Sequence, residues 1–451
     1  MPNKKDNIVI VGAGIFGLST ALHLARRGYS NVTVFDKQSY DERQYSYLNG
    51  CDAAFADMNK IIRSAYGGST EYQALTLEAI EEWKAWNAEL ESGKTVPPGM
   101  TNVDRLFIKN GHLVLTDRET LPDFEIATIE NMEKAGYKDS QLSTIDAEHV
   151  KIAERNGLGY AVDPFQQKTR GQLNVGVLDT TGGLAVADKA CRFALHKARS
   201  LGVKFIFHPV AGKLESICYD SPSEPSRVTG IKTSDGKLHT ANMTILACGG
   251  WTPSILPALD NLCEATAGSV MRDGAEGGLY GFPRDDNGWL KIGYRGTKYT
   301  NPVMQQDGTE RSVPVTRWSE KSGDKFTSIP EQAVKLSENG VDIALTRVCW
   351  YTDSFDNHLV IDPVPGTEGL MVATGGSGHA FKYLPVIGNW VVDILEGVGL
   401  ERQAVKAWRW RKLGKEEQPV NVLMEGRKGE RALGNVSLLT DADIKGRAAR
   451  L

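Results

Sequence analysis

Apolar residues recur with changing period along the first forty positions, and each period predicts an element. Ile8-Val9-Ile10-Val11 is an unbroken β-branched run, the pattern of a strand buried on both faces. Leu18, Ala21, Leu22 and Ala25 then recur at helical spacing, and Gly28 ends that helix. Val32-Thr33-Val34-Phe35 is a second strand, closed by Asp36. Farther on, Gly182-Gly183 leads into a helix over about 185–200, followed by a strand over 203–207. Val228–Thr233 and 237–240 form a hairpin around Asp235-Gly236. A strand-like run over 244–251 ends in glycines and Trp251, and a helix spans 386–395.

Lys4 and Lys5 ahead of the apolar stretch 8–25 also resemble a signal peptide or a short membrane span. The βαβ reading accounts for more residues. Gly12-Ala13-Gly14-Ile15-Phe16-Gly17 lies between the first strand and its helix. Gly12 makes the turn, Gly14 lets the backbone approach a pyrophosphate, and Gly17 lets helix and strand pack closely. The unpaired N–H groups of the helix start face the phosphates. Asp36 then stands where an acid accepts hydrogen bonds from a ribose. The expectation is a dinucleotide site built from Gly12, Gly14, Ile15, Phe16, Gly17, Asp36 and Lys37. This fingerprint alone does not separate FAD from NAD, so an NAD-dependent dehydrogenase stays open at this point.

Composition narrows the class. The chain has 451 residues, 41% hydrophobic and 24% charged, with a net charge of −4. That balance excludes a strongly basic nucleic-acid binder and a disordered chain. Beyond residue 400 there are 12 Lys/Arg against 7 Asp/Glu, so near-neutrality hides a basic tail. In it Trp408-Arg409-Trp410-Arg411 has the look of a nucleic-acid patch, but is read in preference as a segment packing its tryptophans on the protein. The six cysteines are scattered without a CxxC pair, so neither a zinc site nor a disulfide framework is expected, and no metal.

Four further motifs carry chemistry. They are Asn59-Lys60-Ile61-Ile62-Arg63, then Tyr280-Gly281-Phe282-Pro283 with Leu290-Lys291-Ile292-Gly293-Tyr294-Arg295, then Cys349-Trp350-Tyr351-Thr352-Asp353, then Gly375-Gly376-Ser377-Gly378-His379-Ala380-Phe381-Lys382 before a helix. On a helical turn Lys60 and Arg63 would share a face. Lys291 lies in an alternating, strand-like run with Leu290 and Ile292 on the opposite face. A lysine at position 382, in a helix's first turn, would oppose the macrodipole, an odd choice for stability alone.

From Ile8 to about Gly397 the chain resembles the flavin-dependent amine oxidases of the monomeric sarcosine oxidase type, which include pipecolate and saccharopine oxidases and the fructosyl amine oxidases (amadoriases). The resemblance implies an α/β fold: a Rossmann-like FAD-binding domain from 1–65, 158–255 and 340–400, interleaved with an α+β substrate-binding domain from 66–157 and 256–339, plus the tail 401–451. It implies FAD, bound covalently through Cys349 and lined by Lys60, Gly376, Gly378, His379, Phe381 and Lys382. Lys291 and Lys60 are the implied catalytic residues, with Lys291 activating oxygen. Arg63 and Lys382 would clamp a substrate carboxylate, for which a guanidinium fork is suited. Tyr280 would lie near the substrate. Arg295 departs from the family, which has a histidine or a glutamate there, and it suits a second acidic group on the substrate. His358 and His379 are read as structural rather than catalytic.

The expected activity is oxidation of a secondary amine, such as saccharopine, pipecolate or sarcosine, to an imine and hydrogen peroxide. The alternatives are a fructosyl amino acid oxidase and the oxidative cyclisation of an N-methylated amino-acid precursor. The expected partners are a small amine and oxygen, without nucleic acid or membrane, in a monomer. Ala449-Arg450-Leu451 resembles the peroxisomal Ser-Lys-Leu address, which would engage the import receptor; otherwise the location is cytoplasmic.

Overall fold

A computed structural model describes residues 2–51, 53–221, 226–267, 279–285, 287–294, 298–315, 326–328, 349–421, 426–436 and 439–440. The chain divides into two compact units. One comprises 1–56, 198–380 and 388–451, the other 57–197 and 381–387.

The larger unit is organised by a six-stranded sheet. Its order is Val360–Pro363, Leu370–Thr374, Met243–Leu246, Asn7–Val11, Asn31–Asp36, Lys204–Phe207. All neighbours run parallel except the first pair. Parallel pairing needs crossovers that cover the sheet, which explains the unbroken apolar run at 8–11. Val9, Val11, Phe35, Leu246, Val360 and Val372 share one buried cluster. The helix Ile15–Arg26 follows the glycine turn, and the hairpin of Val228–Thr233 with Leu238–Thr240 forms as expected. The run expected over 244–251 is strand only at Met243–Leu246; Gly249–Trp251 turns as a 3₁₀ segment.

Residues 408–411 of the tail pack on this unit. Trp408 is fully buried, and Trp410 packs against the cluster behind the sheet. Arg411 grips Asp356 through both oxygens at 2.6 Å. Trp408 and Trp410 therefore serve packing, and Arg411 an ion pair.

The smaller unit carries two three-stranded sheets. Asn59–Ile62 and Phe107–Ile108 flank Gly183–Val186, while His112–Thr116 and Gln141–Ser143 flank Val175–Asp179. The ladders tie 175–186 to strands drawn from 59–143. Residues 158–197 thus group with the smaller unit and 256–315 with the larger, a different grouping from the boundaries expected above. Residues 185 and 186 are strand, and the helix begins at Ala187 (Ala187–Ser200), because Ala185 pairs with both Lys60 and Phe107.

Candidate active site

The larger unit holds the glycine cradle. Gly12 has φ +101°, and a Cβ there would lie 2.3 Å from the carbonyl oxygen of Ala247. A Cβ on Gly17 would lie 1.8 Å from the Gly12 carbonyl oxygen. Only glycine fits either position. Gly14 opens the helix with no side-chain cap, and the first turn carries no acid. Ile15 and Phe16 are buried behind it. A bare helix start without negative charge fits an anionic pyrophosphate.

Asp36 closes the next strand, with one oxygen 2.8 Å from the Ala13 N–H and the other 2.9 Å from the Gln38 N–H. Burial pushes its carboxyl up, against the pull of those donors. The Tyr40 hydroxyl also reaches the first oxygen at 3.4 Å, and the second keeps a lone pair that a ribose hydroxyl can use. Lys37 sits over the Trp251 ring, 4.1 Å from its centre, a partner the sequence did not suggest. The residues present therefore fit FAD.

The second glycine loop meets this cradle. Gly375 and Gly378 have φ +68° and +72°. A Cβ on Gly376 would lie 3.7 Å from the Phe16 ring, so fingerprint and loop come together. The Ser377 N–H donates to Thr352 at 2.9 Å, fastening the loop to the strand Trp350–Ser354. His379 contacts the Asn357 carbonyl through Nε2 at 3.1 Å, in keeping with a structural role. Cys349, a partly exposed free thiol, stands just before that strand. Burial pushes the partly exposed Cys248 thiol up to about 12, so that cysteine stays protonated at neutral pH.

Lys291 and Tyr280 share a hairpin, Leu279–Gly281 paired with Ile292–Tyr294. Lys291 precedes the strand rather than lying within it, and its carbonyl accepts the Phe282 N–H at 3.0 Å. Leu290 is exposed, so the expected apolar face opposite the lysine is absent there. The Lys291 ammonium lies 4.7 Å from the centre of the buried Phe282 ring, and Tyr280 stands edge-on to the same ring. Arg295 lies outside the described residues.

The smaller unit gathers the basic residues. Asn59–Ile62 is a strand, not a helical turn, because it pairs with Gly183–Val186. Lys60 and Arg63 therefore do not share a face. Lys60 pairs instead with Asp57 at 2.7 Å. Lys382 lies in the 3₁₀ turn Ala380–Tyr383, not in a helix's first turn; the helix is Ile387–Leu395. The macrodipole argument for this lysine therefore falls away.

Lys382 is only 4% exposed, and its side-chain nitrogen lies among polar oxygens. Its ammonium donates to the Tyr66 hydroxyl at 3.0 Å and the Arg63 carbonyl at 3.3 Å. The Arg63 guanidinium lies 5.6 Å from the Tyr66 ring centre and 6.0 Å from that of Phe124. Both side chains thus lie close to one phenol ring. The Tyr66 hydroxyl is 2.5 Å from that of Tyr383, which Thr76 also reaches at 3.3 Å. Burial holds the Tyr383 phenol well above its usual range, so it stays protonated. Trp83 donates to the Lys382 carbonyl at 2.7 Å and stacks on Phe381. Tyr66, Phe124 and Tyr383 were not among the expected residues. Tyr66 lies three positions after Arg63 and Tyr383 one after Lys382, while nothing in the sequence pointed to Phe124.

The family model described as FAD dependent oxidoreductase matches residues 7–394. The chain belongs to this family. This FAD-dependent oxidoreductase is 26% identical to L-saccharopine oxidase of Schizosaccharomyces pombe, over 90% of this chain and 93% of that one. It is 24% identical to a monomeric sarcosine oxidase of a Bacillus species, over 86% and 92%. Among solved structures it resembles the Aspergillus fumigatus fructosamine oxidase Amadoriase II, with a TM-score of 0.67, 25% identity and 91% of each chain covered. The mixed α/β fold with a parallel Rossmann-like sheet agrees with that expected from sequence.

Proposed function

We propose that this FAD-dependent oxidoreductase oxidises a secondary amine bearing a carboxylate, an N-substituted or cyclic amino acid such as saccharopine, pipecolate or sarcosine. The observation that carries the reading is that Arg63 and the buried Lys382 both lie close to the Tyr66 ring, 5.6 Å and 4.6 Å from its centre. Two fixed cations in a polar pocket bind an anion strongly, and a fork beside an ammonium suits a carboxylate. The saccharopine and sarcosine oxidases among its relatives support the same substrate class.

The chemistry supplied by bound FAD is two-electron acceptance from the carbon–hydrogen bond beside the nitrogen, followed by reduction of oxygen to hydrogen peroxide. The cradle of Gly12, Gly14 and Gly17, with Asp36, holds the dinucleotide. Arg63 and Lys382 hold the carboxylate, which fixes the reacting carbon and removes its freedom to tumble. The amine sheds its proton on binding. Lys291, fixed over Phe282, stabilises negative charge developing on oxygen. The imine hydrolyses in water. Cys349 holds the flavin through a thioether; its partial exposure beside the strand that anchors the Gly375–His379 loop supports this.

Likeness to fructosamine oxidase favours a second reading, a fructosyl amino acid. A peroxide-coupled screen over saccharopine, pipecolate, sarcosine, fructosyl-valine and N-methylated aromatic amino acids separates the two. Turnover of fructosyl-valine alone would overturn the first reading. We further propose that the protein acts as a monomer and that Ala449-Arg450-Leu451, through its resemblance to Ser-Lys-Leu, serves as a peroxisomal address for the import receptor. A fluorescent protein ending in the last dozen residues should become punctate, and a diffuse signal rejects the address.

A further inference from the structure

We propose that Asp179 is the positioning residue of the carboxylate clamp, acting through Ser64; the inference rests on the reading of Arg63 and Lys382 given above. Asp179 ends the strand Val175–Asp179 and is 1% exposed. One of its oxygens accepts the Ser64 N–H at 2.6 Å and the Ser64 hydroxyl at 3.0 Å. The other accepts the Thr181 N–H at 2.9 Å and the Thr181 hydroxyl at 2.6 Å. Ser64 is itself fully buried; Thr181 Oγ1 lies 2.8 Å from its hydroxyl, which also accepts from Gln141 at 3.3 Å.

Four donors converge on one acceptor-only group. A carboxylate is the side chain that satisfies all four; an asparagine would present its own N–H groups to two of them. Burying that charge is costly unless it is fully hydrogen-bonded, as it is here. What it immobilises is Ser64, which lies between the residues that make the clamp. Arg63, the preceding residue, supplies a guanidinium and the carbonyl that Lys382 reaches. Tyr66, two residues on, supplies the hydroxyl that Lys382 reaches. The strand Asn59–Ile62 ends just before this segment, so ladder hydrogen bonds do not hold it. Asp179 takes their place. It touches neither substrate nor cofactor and acts by fixing the backbone on which the clamp stands.

The test uses the flavin-loaded holoenzyme and acetate, the smallest carboxylate, with the flavin absorption spectrum as reporter. Asp179→Asn should raise the acetate Kd about tenfold, because two of four charge-assisted bonds are lost. Ser64→Ala, which keeps the N–H bond, should raise it about threefold. Both variants should keep the wild-type flavin content, and with any amine turned over they should raise KM more than they lower kcat. Failure of wild type itself to bind acetate would sink the carboxylate reading, and this inference with it. Wild-type binding with an unchanged Kd in both variants would overturn the role of Asp179 alone. Should Asp179→Asn lose its flavin, Ser64→Ala decides: an unchanged Kd there overturns the proposal, and a raised one supports it.

Discussion

The Lys382 ammonium donates to the Tyr66 hydroxyl across 3.0 Å, although 316 positions separate the two residues in the chain. Tyr66 passes that contact to Tyr383 at 2.5 Å. In the proposed function Lys382 binds the substrate carboxylate, so replacing it should cost binding rather than folding. Lys382→Met is expected to lower kcat/KM for a carboxylate-bearing amine by roughly 10–100-fold, the value of one charge-assisted hydrogen bond. The loss should shrink for the corresponding carboxamide. Steady-state kinetics on both substrates checks this, and equal losses would contradict it.

In the proposed function Lys291 serves the other half of the reaction. Its ammonium is fixed over Phe282, at 4.7 Å from the ring centre. Lys291→Met should slow reoxidation of the reduced enzyme by oxygen roughly a hundredfold, the scale of losing one preorganised electrostatic group. Reduction by amine in the absence of oxygen should change little. Stopped-flow mixing separates the halves, and an unchanged reoxidation rate would remove Lys291 from the oxygen step.

Cys349 makes a prediction that needs no substrate. Acid-precipitated wild-type protein should keep its yellow colour in the pellet, while Cys349→Ser should release it to the supernatant. Complete release from wild type would rule out the covalent bond.

Much of this architecture is legible in the sequence. The β-branched run at 8–11 and the helical spacing from Leu18 to Ala25 give the βαβ unit, because each element buries a full period of its own pattern. The motif at 59–63 is too short to carry a period. Its state is decided by pairing with Gly183–Val186, more than a hundred positions away. The same holds for the site. Arg63 and Lys382 are readable as chemistry, but the Tyr66–Tyr383 contact and the Ser64–Asp179 hydrogen bond exist only after distant segments meet. Phe124 carries no polar signature, and only its place beside Arg63 marks it.

Glu264 gives a pH dependence that sequence would not suggest. It is 6% exposed and accepts the Ser312 N–H at 2.8 Å. Burial holds its carboxyl up at about 7, from an ordinary value of 4.5. An acid raised on folding favours the folded state most below its unfolded pKa. That contribution is lost as pH rises through about 7. Glu264→Gln should therefore gain stability over wild type above pH 7, by at most about 3 kcal/mol, and lose that advantage below about pH 5. Thermal unfolding of both proteins at the two pH values checks the sign, and a difference independent of pH would contradict it.

The most direct test of the whole account is an anaerobic titration of the purified protein. Its absorption spectrum should show bound flavin, and a carboxylate-bearing secondary amine such as L-saccharopine, L-pipecolate or sarcosine should bleach it. Admitting oxygen should restore the colour and yield one hydrogen peroxide per amine oxidised. A spectrum that none of these amines bleaches, while NADH does, would contradict it.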